Sequence, residues 1–125
     1  MANAIVPAVA REKIAKARKE GKKIAAIKYM AFGDGGVDDS GTVRVPASDV
    51  TALNNEILRK KYDSVEEAST CSYTYKCVLE ENELGGKNIS EIALIDEDGD
   101  LASMQCFKPR PDDLEQVYEI TDDYT

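Results

Sequence analysis

The sequence predicts an α+β fold, with two helices packed on a mainly antiparallel sheet in a single small domain. Three observations carry the prediction. Apolar residues recur at three- and four-residue spacing over residues 8–22 and again over 49–61, then alternate from Ser69 onward. The acidic stretch Asp96-Glu97-Asp98-Gly99-Asp100 separates two apolar runs, a hairpin signal because Asp-Gly readily supplies positive φ angles. The length of 125 residues, 42% of them hydrophobic, suits one modest core, with no room for a second domain of ordinary size.

The first helix is expected from Ala8 to about Lys22, with Val6, Val9 or Ala10, Ile14 and Ala17 on one side, Pro7 at its start and Gly21 as its C-terminal cap. Its stripe is narrow and alanine-rich, so it needs a neighbour to pack on. The other faces carry Arg11, Lys13, Lys16, Arg18 and Lys19, and Arg11, Lys13, Lys16 and Lys19 are candidates for partner binding. A strand, Ile24 to Met30, follows and ends in the turn Gly33-Asp34-Gly35-Gly36, where three glycines in four positions suggest backbone angles closed to other residues. Asp34, Asp38 and Asp39 read either as a cation site or as turn-forming carboxylates. Thr42 to Val45 is a short extended piece ending at Pro46.

The second helix is expected from Ser48 or Asp49 to about Lys61, with Val50, Leu53 and Ile57 on one side and Glu56 paired with Arg59 one turn on. Cys71, Tyr73, Tyr75, Cys77 and Leu79 then share one face of a strand. An acidic connection ends in Gly85-Gly86, ahead of the hairpin formed by residues 89–95 and 101–107. Pro109 and Pro111 stiffen the entry to a last strand, Val117 to Thr121, and suggest an edge position. The organisation is thus a basic helix (8–22), a core (24–107) and a C-terminal strand and tail (108–125).

Composition excludes several function classes. The chain has no histidine, and its three cysteines, Cys71, Cys77 and Cys106, lack CxxC spacing, so zinc ligation and histidine-based catalysis lose their usual groups. Buried thiols are the expected state of the cysteines. No GxGxxG follows Ile27 and no GKS or GKT occurs, which argues against a nucleotide pocket. Placing Gly99 sixth in a calcium loop puts Leu94 first, and the EF-hand pattern fails. Neither a metal nor a cofactor is expected, nor a catalytic residue, because every carboxylate pair lies in a turn or an acidic run. No run of 18 apolar residues and no secretory leader is visible, so neither a membrane span nor export is expected.

Charge is unevenly distributed. Residues 1–28 hold eight basic and two acidic residues, a local charge of +6, which leaves −14 for the remainder of a chain whose net charge is −8. The acidic body repels phosphate and no aromatics interleave the basic segment, so nucleic acid is not an expected partner. An acidic surface of a partner, or of another copy, is.

The ordered succession of Met30-Ala31-Phe32-Gly33-Asp34-Gly35-Gly36, Leu53-Asn54-Asn55-Glu56 with Arg59, and Leu84-Gly85-Gly86 with Ile89-Ser90-Glu91-Ile92-Ala93-Leu94-Ile95-Asp96 and Gly99-Asp100-Leu101 resembles the N-terminal domain of phage tail-collar fibre proteins. That family shows a GDG turn, an L-x-N/H-E-x-x-R helix and a GG-x-x-I/W-x-E-I/M-G-L-x-D-x-x-G-x-L hairpin. The resemblance spans residues 24 to 107. It implies a non-enzymatic virion part that attaches a tail fibre to the baseplate, commonly as a trimer, made in the host cytoplasm and carried in the tail. It also implies that Gly33, Asp34, Gly35, Gly36, Glu56, Arg59, Gly85 and Gly86 form one structural docking corner, with Asp34 bonded to backbone amides or to a base such as Arg59. Two departures stand out. Ala93 replaces the usual glycine, and family members continue into a fibre shaft and a receptor-binding tip whereas this sequence stops at Thr125, as expected of a separate attachment subunit or a prophage remnant. The rival expectation is a small intracellular binding module that uses its basic helix or a sheet edge.

Overall fold

The computed structural model describes residues 4–124, as one helix and seven strands among those residues. Helix α1 (Ala8–Glu20) precedes β1 (Ile27–Gly33), β2 (Glu56–Lys61), β3 (Ser64–Ser69), β4 (Ser72–Leu79), β5 (Ile89–Asp96), β6 (Leu101–Arg110) and β7 (Gln116–Asp123). All pairings are antiparallel. One sheet has the order β2-β1-β5-β6 and the other β3-β4-β7.

The four-stranded sheet is the middle layer, and the alternation of its side chains shows why. Met30 and Phe32 on β1, with Ile92 and Leu94 on β5, pack against Cys77, Leu79, Tyr118 and Ile120 of the three-stranded sheet. The intervening residues Ala31, Ala93, Ile95 and Met104 face the other way, onto Val9 of α1 and Val43 and Val50 of the long β1–β2 connection. A strand covered on both faces has no place for an alternating polar pattern, and every residue of β5 is buried. Phe32 is fully buried and meets Tyr118 edge to face at 5.7 Å, a contact that ties the two sheets together. Ala93 is also fully buried, so its methyl group is accommodated where glycine is usual.

The helix starts at Ala8 as expected and ends at Glu20, two residues short of the expected Lys22, with Gly21 as its cap. Gly21 takes φ 69°, and the Gly21 and Lys22 amides return to the Arg18 and Ala17 carbonyls in a Schellman-type cap. The Asp96–Asp100 hairpin is also as expected, with Gly99 at φ 88° and the Asp96 side chain accepting the Asp98 and Asp100 amides. The first strand begins at Ile27 rather than Ile24. Strand β7 lies at a sheet edge, consistent with the two prolines before it.

The second predicted helix does not form. Residues 56–61 are strand β2, paired with Tyr29–Gly33, and residues 49–55 are irregular. Val50, Leu53 and Ile57 satisfy a helical period, but Val50 and Leu53 pack on the second core while Ile57 turns toward the first. The open edge of β1 offers this segment a ladder of hydrogen bonds, and tertiary pairing outweighs a weak local preference. The extended piece at 42–45 amounts to a single bridge, Val43 to Val37. Strand β3, which the pattern did not announce, carries Val65 and Ala68 among polar residues and pairs with β4 at the rim of the second sheet.

Candidate functional site

The glycine turn after β1 is held by a residue of the middle strand. Glu91 is fully buried, and its carboxylate accepts four N–H groups: Oε2 from the amides of Gly35 (3.0 Å) and Asn55 (2.8 Å), Oε1 from the Asn54 amide (2.9 Å) and side-chain Nδ2 (3.1 Å). A buried charge is tolerable when donors surround it, and hydrogen bonds to ionised groups are the stronger kind. The neighbouring Ser90 hydroxyl accepts the Gly36 amide at 2.8 Å. From outside, Arg44 donates its amide to the Gly36 carbonyl and its Nε to the Gly35 carbonyl. Two distant segments, 33–36 and 54–55, thus converge on one carboxylate, and Arg44 braces the first of them from outside. The same bonds explain the missing helix, since the Asn54 and Asn55 amides that helical pairing would direct to residues 50 and 51 are committed to Glu91.

Close approach, rather than unusual dihedral angles, requires glycine here. None of Gly33, Gly35 and Gly36 has positive φ. A Cβ at Gly33 would lie 2.4 Å from the Asn55 carbonyl oxygen, at Gly35 2.7 Å from Asn54 Cβ, and at Gly36 1.9 Å from the Ser90 carbonyl oxygen. The positive φ angles belong instead to Gly85 (68°) and Gly86 (83°). These two occupy a separate turn before β5, where the buried Asp112 carboxylate accepts the Leu84 and Gly86 amides, so the expected single corner is two.

Asp34 bonds neither Arg59 nor a backbone amide through its side chain. Its Oδ1 accepts the Asn55 side-chain amide, and its own N–H donates to the Asn55 carbonyl. Glu56 and Arg59 do pair, by Nε at 3.1 Å and Nη2 at 2.9 Å, although they lie on a strand. The register explains it. Phe32 faces Leu58 while Gly33 faces Glu56, so Ile57 is an inserted residue, and this bulge brings two residues three apart to one side. Asp38 caps its own loop, accepting the Ser40 amide and hydroxyl and the Thr42 amide, bonds that hold its carboxyl below the usual range. That is the turn-forming reading of the aspartates.

The basic helix divides into two parts. Arg11, Lys16 and Lys19 are exposed. Lys13 is not free: its ammonium meets Asp96 Oδ2 at 2.7 Å and Asp98 and Asp100 at 2.9 Å each, fastening α1 to the hairpin turn. Those three aspartates form the one carboxylate group among the described residues close enough to share an ion, and a lysine supplies the cation. Burial alone would lower the Lys13 pKa, but the bonds to Asp96, Asp100 and Asp98 outweigh it and raise it above the ordinary value. The stability it contributes is therefore present at neutral pH and is lost as pH rises beyond the range of an unfolded lysine. Lys13→Met is expected to lower stability by about 1–2 kcal/mol at neutral pH, since the pairs are part-exposed and three carboxylates would face one another unscreened. Thermal melts should show this gap narrowing above pH ~10.5; a constant gap would mean lost packing only. Of the cysteines, Cys71 is exposed, and Cys77 and Cys106 are buried thiols pushed up to about 11 by burial.

These features brace the fold. A sheet sandwich is locked at one corner by a buried carboxylate, and a basic helix is pinned across an acidic turn. The sequence model described as phage tail-collar fibre protein, N-terminal, matches residues 1–113, and the chain belongs to that family, whose members are structural components of phage tail fibres. Membership implies a virion tail location and contacts with other tail components. No curated protein and no solved structure matches the chain.

Proposed function

We propose that the domain attaches a tail fibre to the baseplate of a phage tail or phage-tail-like particle, without catalysing a reaction. The observation that carries this reading is the family match across residues 1–113. The corner at Glu91 suits the task because an adaptor under load needs loops that do not deform, and its strongest bonds tie loops to the middle strand. The row Arg11, Lys16 and Lys19 is the surface offered to an acidic partner, the baseplate or the fibre protein. Gly33, Gly35, Gly36 and Asp34, with Glu56 and Arg59 beside them, preserve the shape of that platform, and the turn of Gly85 and Gly86 does the same at the second sheet. Assembly begins in the host cytoplasm and ends in the virion, and a homotrimer is the arrangement we assign to the attached fibre.

The test is co-purification with the baseplate proteins encoded alongside the chain. The wild type should be retained, and the double charge reversal of Lys16 and Lys19 to Glu should be lost from the complex. The isolated variant should melt within about 0.5 kcal/mol of wild type, as expected of surface positions. Retention of the variant would reduce the helix face to a solvated surface. No association of the wild type with any baseplate or fibre protein would remove the attachment reading itself.

A further inference from the structure

A cavity of about 530 Å³ opens between α1, the segment 23–27 and one end of the three-stranded sheet. It arises because β4 and β7 run on past the inter-sheet core. Ile120 is buried in that core opposite Tyr75, and Asp122, two residues further on the same face, pairs with Tyr73 and lines the cavity instead. Tyr62, Tyr75 and Tyr124 line the same wall, with the Tyr62 and Tyr75 rings edge to face at 5.0 Å. Helix α1 and the segment 23–27 bring Ile14 and Ile27 to the lining, together with Lys13 and Lys23. Around the mouth, Ile24 and Tyr124 are each about half exposed, at 48% and 49%.

Three carboxylates, of Asp96, Asp98 and Asp122, line this cavity against two basic side chains, Lys13 and Lys23. Asp122 Oδ1 is buried with no hydrogen-bond partner among the described residues. Asp96 and Asp98 also line the space, but the Lys13 ammonium beside them is shared by three carboxylates and has no charge to spare. A half-buried carboxylate with a buried oxygen that lacks a donor is costly, and burial pushes the Asp122 carboxyl up to about 6, with Asp123 adding to the effect. Tyrosine ring faces attract cations, most strongly where water is excluded. A carboxylate among tyrosines, reached past Ile14 and Ile27, matches a charged head on a methylene stem.

We propose that this cavity receives the alkylammonium side chain of a lysine presented by a partner protein, with its stem on Ile14 and Ile27 and its charge at Asp122 among Tyr62, Tyr75 and Tyr124. The proposal does not rest on the attachment reading, and it uses a surface distinct from the exposed cations of α1. The partner is one that projects a lysine from a small apolar surface able to cover Ile24 and Tyr124.

The probe is n-butylammonium, titrated into the full chain at millimolar concentration and followed by NMR, with 1-butanol as the neutral comparison. Butylammonium should shift the signals of Tyr62, Tyr75, Tyr124 and Asp122 and bind at least about tenfold more tightly than butanol. Asp122→Asn, which removes a charge that has no partner and should fold normally, should abolish that preference. Tyr124→Ala, at an exposed position, should weaken butylammonium binding with the rest of the spectrum unchanged. Absence of shifts, equal binding of butanol, or undiminished binding to Asp122→Asn would overturn the proposal. So would binding that appears only in Lys23→Ala, because the chain's own lysine at the cavity wall would then be the occupant.

Discussion

Glu91→Ala is expected to lower the stability of the domain by about 4 kcal/mol, the scale found when one side of a buried ionic network is removed. The loss has two sources. Three backbone amides, of Gly35, Asn54 and Asn55, would be left without an acceptor, and a space would open in a strand covered on both faces. Glu91→Gln separates charge from shape. A glutamine has one acceptor oxygen, and either orientation of its amide sets an NH2 group against N–H donors on Asn54 or on Gly35 and Asn55. It should therefore cost about 2–3 kcal/mol rather than restore wild type. Thermal or urea unfolding of the three proteins reads the series. A Gln variant within about 0.5 kcal/mol of wild type would show that the carboxylate charge contributes little and that the corner is held by shape alone.

Gly36→Ala is expected to cost about 3 kcal/mol or to prevent folding, a large effect for one methyl group. The obstacle is the Ser90 carbonyl, with its oxygen 1.9 Å and its carbon 2.5 Å from the added Cβ, and that carbonyl belongs to the buried middle strand. The corner would have to lift away and break the Gly36 amide's bond to the Ser90 hydroxyl. Gly21→Ala is the control. Nothing lies within 4 Å of a Cβ there, and only the φ of 69° opposes the change, a strain of about 1 kcal/mol. Equal melting temperatures for the two variants would contradict the assignment of Gly36 to close approach.

Much of the fold was legible because its signals are local. The α1 cap at Gly21, the hairpin at Gly99 and the alternation of Tyr73, Tyr75, Cys77 and Leu79 each follow from a few adjacent residues. What was not legible depends on distant partners. Residues 56–61 took strand geometry from the unpaired edge of β1, and β3 has too few apolar residues to register at all. The candidate site divides in the same way. Its glycines and Asp34 were visible, but for the wrong reason, since their constraint comes from Ser90, Asn54 and Asn55 rather than from their own dihedral angles. Glu91 was present as a motif letter and left out of the corner. The signal that could have found it is the one charge inside the apolar run Ile89 to Ile95, where a carboxylate must have donors waiting.

The pairing of β4 with β7 has a kinetic consequence. Ser72 faces Asp123 and Leu79 faces Gln116, so the whole β5–β6 hairpin lies inside the loop that this pairing closes. Closing that loop on an unstructured chain is entropically unfavourable, whereas the hairpin needs only a four-residue turn and forms in about 1–10 μs in isolation. We expect the hairpin, joined by β1, to be structured in the folding transition state and the second sheet to close afterwards. Ile92→Val should then mainly slow folding, and Ile120→Val mainly speed unfolding, as chevron kinetics would read; the reverse pattern would put the long-range sheet first. On this order the tyrosine-lined cavity, to which β4 and β7 contribute Tyr75 and Asp122, is among the last parts of the molecule to exist.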